Sequence, residues 1–92
     1  MRRIEFKTSF DRFYRKLSQA EKQRVDEAIK EMLLALEVKE APAGLGLKRL
    51  KGDIWEIRVD LSLRVGFRMM KDLIEFGVVG NHETIKKFLK NF

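Results

Sequence analysis

Cysteine is absent from these 92 residues, and histidine, proline, tryptophan and tyrosine each occur once. Without cysteine there is no disulfide framework and no thiolate nucleophile or zinc site, which suits a reducing compartment. A structural zinc centre would need ligands that this composition does not supply. No apolar run approaches the ~20 residues that a membrane span requires. Near the start, Ile4 and Phe6 are interrupted by charges, so no secretory leader is read there and a cytoplasmic location is expected. The sequence also lacks GxSxG, HExxH and a glycine-rich phosphate loop, and no carboxylate pair sits in apolar surroundings. Metal-dependent hydrolysis is therefore not expected, and no cofactor is called for. No internal repeat or low-complexity segment is present.

What the chain does have is positive charge. Twenty lysines and arginines face fourteen acids, a net charge of +6. The excess gathers in residues 41–70, where six basic side chains stand against three acidic ones. A basic domain favours polyanions or an acidic protein partner. The length suits one domain with one modest core, so residues 1–92 are read as a single domain.

Arg2–Lys7 alternates, with Ile4 and Phe6 on one side, and reads as a short strand at or beside a sheet edge. Thr8 or Ser9 is placed to cap a first helix, whose apolar stripe is Phe10, Phe13, Tyr14 and Leu17. Ser18-Gln19-Ala20-Glu21 is a capping-box pattern and starts a second helix running to about Glu37. Val25, Ala28, Ile29, Met32, Leu33 and Leu36 form its core face. The two helices make a hairpin packed on one side of the sheet. Lys39 to Gly46, with the proline and two glycines, is the linker that turns the path from helix to sheet. Leu47–Leu50 is a short apolar-basic stretch, and Lys51-Gly52-Asp53 is a turn.

Ile54 to His82 carries three consecutive strands. Trp55, Ile57 and Val59 share a face in the first, Leu63, Val65, Phe67 and Met69 in the second, and Ile74, Phe76 and Val78 in the third. A two-residue turn at Lys71-Asp72 pairs Met69 with Ile74, Phe67 with Phe76, Val65 with Val78, Arg68 with Glu75 and Gly66 with Gly77. For the first two strands, a three-residue loop at Leu61–Leu63 pairs Asp60 with Arg64, Glu56 with Arg68 and Arg58 with Gly66. The competing register sets Arg58 opposite Arg64, a like-charge pair that is unfavourable. Asn81 can cap a last helix with Ile85, Phe88, Leu89 and Phe92 on its apolar face, and Lys86, Lys87 and Lys90 near its C-terminal end.

In the preferred register Arg68 lies between Glu56 and Glu75, in a structural ion-pair row. Arg58 looks across Gly66 and Gly77, with Arg64 beside it: two arginines over bare backbone, able to hold an anion. An ordinary solvated face is the alternative. Lys48, Arg49 and Lys51 add three positive charges nearby and are candidates for phosphate contact. His82 falls in the first turn of the last helix, where a histidine can carry a proton near neutral pH or simply cap and pack. Acid–base chemistry with arginine stabilisation, as in ribonucleases that use the RNA 2′-hydroxyl as nucleophile, is what these groups could supply.

The order strand, two helices, strand meander resembles the RelE/ParE superfamily of toxin–antitoxin toxins. So do the stretches LKRLKGDIWEIRV, LRVGFR and VVGNHETIKKFL. The resemblance spans nearly the whole chain. It implies an α+β, RelE-like fold: an N-terminal strand, a helical hairpin, an antiparallel strand meander and a short C-terminal helix. It also implies a cognate antitoxin as partner, and in RelE-like members a metal-independent cleavage of mRNA on the ribosome. ParE-like members share the fold and poison DNA gyrase instead, and a catalytically inactive, binding-only member is a third possibility. By position, Arg58 and Arg64 match basic residues associated with phosphate binding and transition-state stabilisation, and His82 the place of a catalytic histidine or basic residue. Lys48, Arg49, Lys51 and Arg68 fit a nucleic-acid-binding surface. The sequence departs from the pattern at Glu56, where some members carry lysine, at Glu83, where others are basic, and in having no tyrosine near its end. A basic face calls for an acidic antitoxin segment.

Overall fold

The computed structural model describes residues 2–38 and 46–90. The linker expected over Lys39–Gly46 lies, up to Leu45, outside the described residues, as does Phe92. Strand β1 (Arg3–Phe6) leads into helices α1 (Thr8–Arg15) and α2 (Gln19–Val38). Four strands come next, β2 (Lys48–Lys51), β3 (Ile54–Arg58), β4 (Arg64–Met69) and β5 (Leu73–Gly80), and then helix α3 (His82–Lys90). The sheet order is β1-β5-β4-β3-β2. The last four strands form an antiparallel meander, and β1 joins parallel to β5 as an edge. This is the α+β architecture that the resemblance implies.

The helix starts follow local chemistry. The Ser18 N–H donates to Glu21 Oε1 at 2.8 Å and the Glu21 N–H to Ser18 Oγ at 3.1 Å. That reciprocal capping box satisfies two backbone donors that a helix start leaves open. The Thr84 N–H donates to Asn81 Oδ1 at 2.9 Å and so caps α3 as expected. Helix α1 differs. Its N-cap is Lys7, in extended backbone, with no side-chain cap. Neither Thr8 nor Ser9 fills the role; the Ser9 hydroxyl instead donates to the Gly77 carbonyl at 2.6 Å.

The main core lies between the α1–α2 hairpin and one face of the sheet. Phe10, Val25, Ala28, Ile29 and Met32 pack on Ile57, Val65, Phe67, Ile74, Phe76 and Val79. The sequence pattern placed most of these, but with Val78 where Val79 is found. The cause is a β-bulge. Met69↔Ile74, Arg68↔Glu75 and Phe67↔Phe76 pair as expected, and then Gly66 pairs with Val78, Val65 with Val79 and Arg64 with Gly80. Gly77 is the extra residue, so the expected Val65–Val78 and Gly66–Gly77 pairs do not form.

The β3–β4 register is also corrected. Arg58 stands opposite Arg64, Glu56 opposite Gly66 and Ile54 opposite Arg68. The expected Asp60–Arg64, Glu56–Arg68 and Arg58–Gly66 pairs are absent because Asp60 belongs to the turn. Its Oδ1 accepts the N–H groups of Ser62 and Leu63, each at 2.9 Å. The N–H groups of Val59 and Asp60 both reach the Leu63 carbonyl. Arg24 from α2 ties Asp60 Oδ2 at 3.1 Å.

Helix α3 covers the sheet face opposite the hairpin. The expectation of a bare glycine floor on that face is overturned. A Cβ on Gly77 would lie 2.6 Å from the Phe88 ring, and one on Gly66 would lie 2.7 Å from Val78 and 3.4 Å from Ile85. Gly77 admits the Phe88 ring of α3 and Gly66 admits the Val78 side chain, and Ile54, Val78 and Ile85 are buried on the same side.

Candidate functional site

The end of the sheet at which α3 begins carries the cations, and Thr84 of α3 packs on Gly80 there. Arg58, Arg64 and Gly80 are successive cross-strand partners on β3, β4 and β5. Directly opposed residues project from the same face, with Cα atoms about 4.5–5.5 Å apart. Two residues beyond Gly80 the chain reaches His82, the first residue of α3, which is exposed. The fold therefore sets Arg58 opposite Arg64 on one face, with His82 two residues past Gly80, the β5 partner of Arg64. Gly46 borders this edge. Its φ is +65°, and a Cβ there would lie 2.9 Å from the Arg58 Cβ, so only a residue without a side chain fits the approach.

Arg64 and Arg58 differ in environment. Arg58 is exposed. The Arg64 side chain is 21% exposed, and its Nη1 donates to Glu56 Oε2 at 2.7 Å. Glu56 itself is buried, 3% exposed. The like-charge pair disfavoured on sequence grounds is thus tolerated because a carboxylate two residues before Arg58 reaches across to Arg64. Glu56 was expected to pair with Arg68. The signal that could have found its true partner was present: the competing register leaves Glu56 diagonal to Arg64, within reach of its side chain.

Arg68 sits four residues along β4, about 13 Å from Arg64 at ~3.3 Å per residue. Its Nη2 is 3.2 Å from Asp53 Oδ2 and its Nη1 3.9 Å from Glu75 Oε1. It is a structural ion-pair residue, as the sequence suggested, with Asp53 in place of Glu56. The basic stretch of β2 divides. Lys48 stands opposite Glu56 and so shares the face of the two arginines. Arg49 stands opposite Trp55, on the hairpin side, and its Nε donates to the Gly52 carbonyl at 2.6 Å. A bulge between Arg49 and Lys51 returns Lys51 to the face of Ile54. Among the described residues no cluster of three or more histidine and acidic side chains could hold a metal ion. No helix of the described residues is long and apolar enough to cross a membrane.

A second surface feature lies on the hairpin side. Four exposed large apolar residues, Ile4, Phe6, Leu34 and Val38, line an open groove of about 1260 Å³ between α2 and β1. Its rim includes Tyr14, whose hydroxyl donates to Asp26 Oδ1 at 2.7 Å. This bond, with burial and the carboxylate's charge, pushes the phenol up to about 12. The groove is on the far side of the sheet from the arginine pair.

The fold is that of RelE-like toxins. Chains with the same fold include a point mutant of YafQ from Escherichia coli (TM-score 0.70, 16% identity, 92% of this chain and 98% of that one). A chain of the RelB–RelE antitoxin–toxin complex from Methanococcus jannaschii aligns with TM-score 0.68 and 20% identity over 91% and 96% of the two chains. A copper-bound mutant toxin from Helicobacter pylori aligns with TM-score 0.65 and 18% identity over 90% and 97%. No family model and no curated protein matches the sequence.

Proposed function

We propose that this chain is the toxin of a toxin–antitoxin module, a single-domain, metal-independent endoribonuclease that cleaves mRNA on the ribosome in the cytoplasm. The observation that carries the reading is the row Arg58–Arg64–Gly80 ending at His82. Fold likeness to toxins, one of them in an antitoxin–toxin complex, supports it. The reaction is attack of a 2′-hydroxyl on the adjacent phosphate. His82 accepts the hydroxyl proton as the oxygen–phosphorus bond forms. Arg58 and Arg64 hold the non-bridging oxygens as charge builds on the pentacoordinate phosphate. The bond to the 5′-oxygen breaks, that oxygen is protonated by water, and the products are a 2′,3′-cyclic phosphate and a free 5′-hydroxyl. Lys48, on the same face, extends the positive approach surface for the RNA backbone. The antitoxin covers this face with an acidic segment.

The test is 5′-end mapping of transcripts after induction in growing cells. New ends inside translated reading frames are expected, and they disappear with Arg64→Ala. Intact mRNA accompanied by loss of DNA supercoiling would replace this reading with gyrase poisoning. Intact mRNA in cells that grow normally would leave a binding-only protein.

A further inference from the structure

We infer that Glu56 is a positioning residue: its buried carboxylate holds the Arg64 guanidinium in the orientation that meets the scissile phosphate. The inference rests on the nuclease reading for its catalytic consequence and on geometry for its physical content.

Glu56 is an unusual occupant of its place. It is the buried charged residue of the described core, flanked on β3 by the buried Ile54 and Ile57. Burying a carboxylate carries a desolvation cost that an apolar residue would avoid. Its surroundings are cationic on three sides: Arg64 in contact at 2.7 Å, Lys48 as its cross-strand partner on β2, and Arg58 two residues on. Arg58 also stands directly opposite Arg64. Without the carboxylate the two arginines repel, and the path of least repulsion is to splay apart into solvent. With it, one N–H group of Arg64 is anchored from below. A guanidinium is a rigid plane with five donors, so fixing one nitrogen fixes the direction of the rest. The side chain remains partly open to solvent, so those donors can reach a ligand. One acid among three cations leaves the patch positive overall, and an anion is still attracted.

The experiment compares the full chain with Glu56→Gln, which keeps the shape and removes the charge. In ribosome-dependent cleavage, kcat is expected to fall at least tenfold. KM should stay level or fall, because a negative charge beside the phosphate site has gone. A role confined to folding would lower kcat only through the inactive fraction, so kcat is counted per folded chain, and on that basis such a role would leave it unchanged. In an Arg64→Lys background the same substitution should change kcat less than about twofold, since the group being positioned is no longer a guanidinium. Equal losses in both backgrounds would overturn the proposal. A second measurement stands apart from catalysis: 15N relaxation of the Arg64 side chain. It should be as ordered as the backbone in the unaltered chain and mobile in Glu56→Gln. A guanidinium that tumbles freely in the unaltered chain overturns the proposal even if the variant does not fold. If the unaltered chain cleaves no RNA but Arg64 is ordered only when Glu56 is present, the nuclease reading fails and the positioning stands.

Discussion

The Phe88 ring of α3 lies against Gly77 of β5, in space that any side chain on residue 77 would occupy. A Cβ there would come within 2.6 and 2.7 Å of two ring atoms. Gly77 is also the extra residue of the β-bulge, and its carbonyl accepts the Ser9 hydroxyl from the other side of the sheet. One position thus sets the seat of α3, and with it the place of His82, and moves Gly80 opposite Arg64.

Gly77→Ala should therefore destabilise the fold by about 1–3 kcal/mol, the range for overpacking a filled site. Urea denaturation measures it. In a Phe88→Ala background the same substitution should cost much less, because the clashing ring is gone. Equal costs in both backgrounds would mean that α3 is not held this way.

Tyr14 is the single tyrosine, so the ultraviolet absorbance change on phenolate formation reports it alone. Its ionisation should fall near pH 12, held up first by the hydrogen bond to Asp26. A phenol whose folded pKa is raised contributes stability that is complete below the unfolded pKa of about 10 and is lost as pH rises through the folded value. Asp26→Asn should bring the midpoint down towards that unfolded value. A midpoint unchanged by the substitution would remove Asp26 as the cause.

Asp60 shows the opposite sign. The Ser62 N–H, with further bonds from Leu63 and the Ser62 hydroxyl and the charge of Arg24, lowers its pKa against the opposing effect of burial. The stability it contributes is present above the ordinary carboxylate pKa of about 3.9 and is lost as pH falls through the lowered value. Thermal melts from pH 7 to pH 2 should show a steeper acid-side decline in the unaltered chain than in Asp60→Asn. Parallel declines would mean that the turn does not depend on the charge.

Much of the fold could be read along the chain. Period-two alternation placed β3, β4 and β5, and the Ser18–Glu21 and Asn81 caps marked two helix starts within a residue. What escaped has physical reasons. On sequence the β3–β4 register turns on the Arg58–Arg64 repulsion, and a pairwise rule does not include a third residue such as Glu56 that relieves it. The bulge escaped because Gly77 has no side chain to declare a face, and Val78 and Val79 are equally apolar. The same silence hid the packing of α3: glycine reads as open surface when it is in fact the floor under a phenylalanine. For the site, alternation put Arg58 and Arg64 on one face and the resemblance added His82, but neither could separate Lys48 from Arg49, which the β2 pairing turns to opposite faces.

If Arg64 and His82 act together on a phosphate at the sheet edge, the chemical step needs both. Purified protein added to ribosomes programmed with a defined mRNA tests it most directly, with single-turnover cleavage followed for the unaltered chain, Arg64→Ala and His82→Ala. Rapid cleavage is expected from the first and losses of well over tenfold from each variant, the scale of positioned acid–base and electrostatic groups. Cleavage at full rate in either folded variant would contradict it.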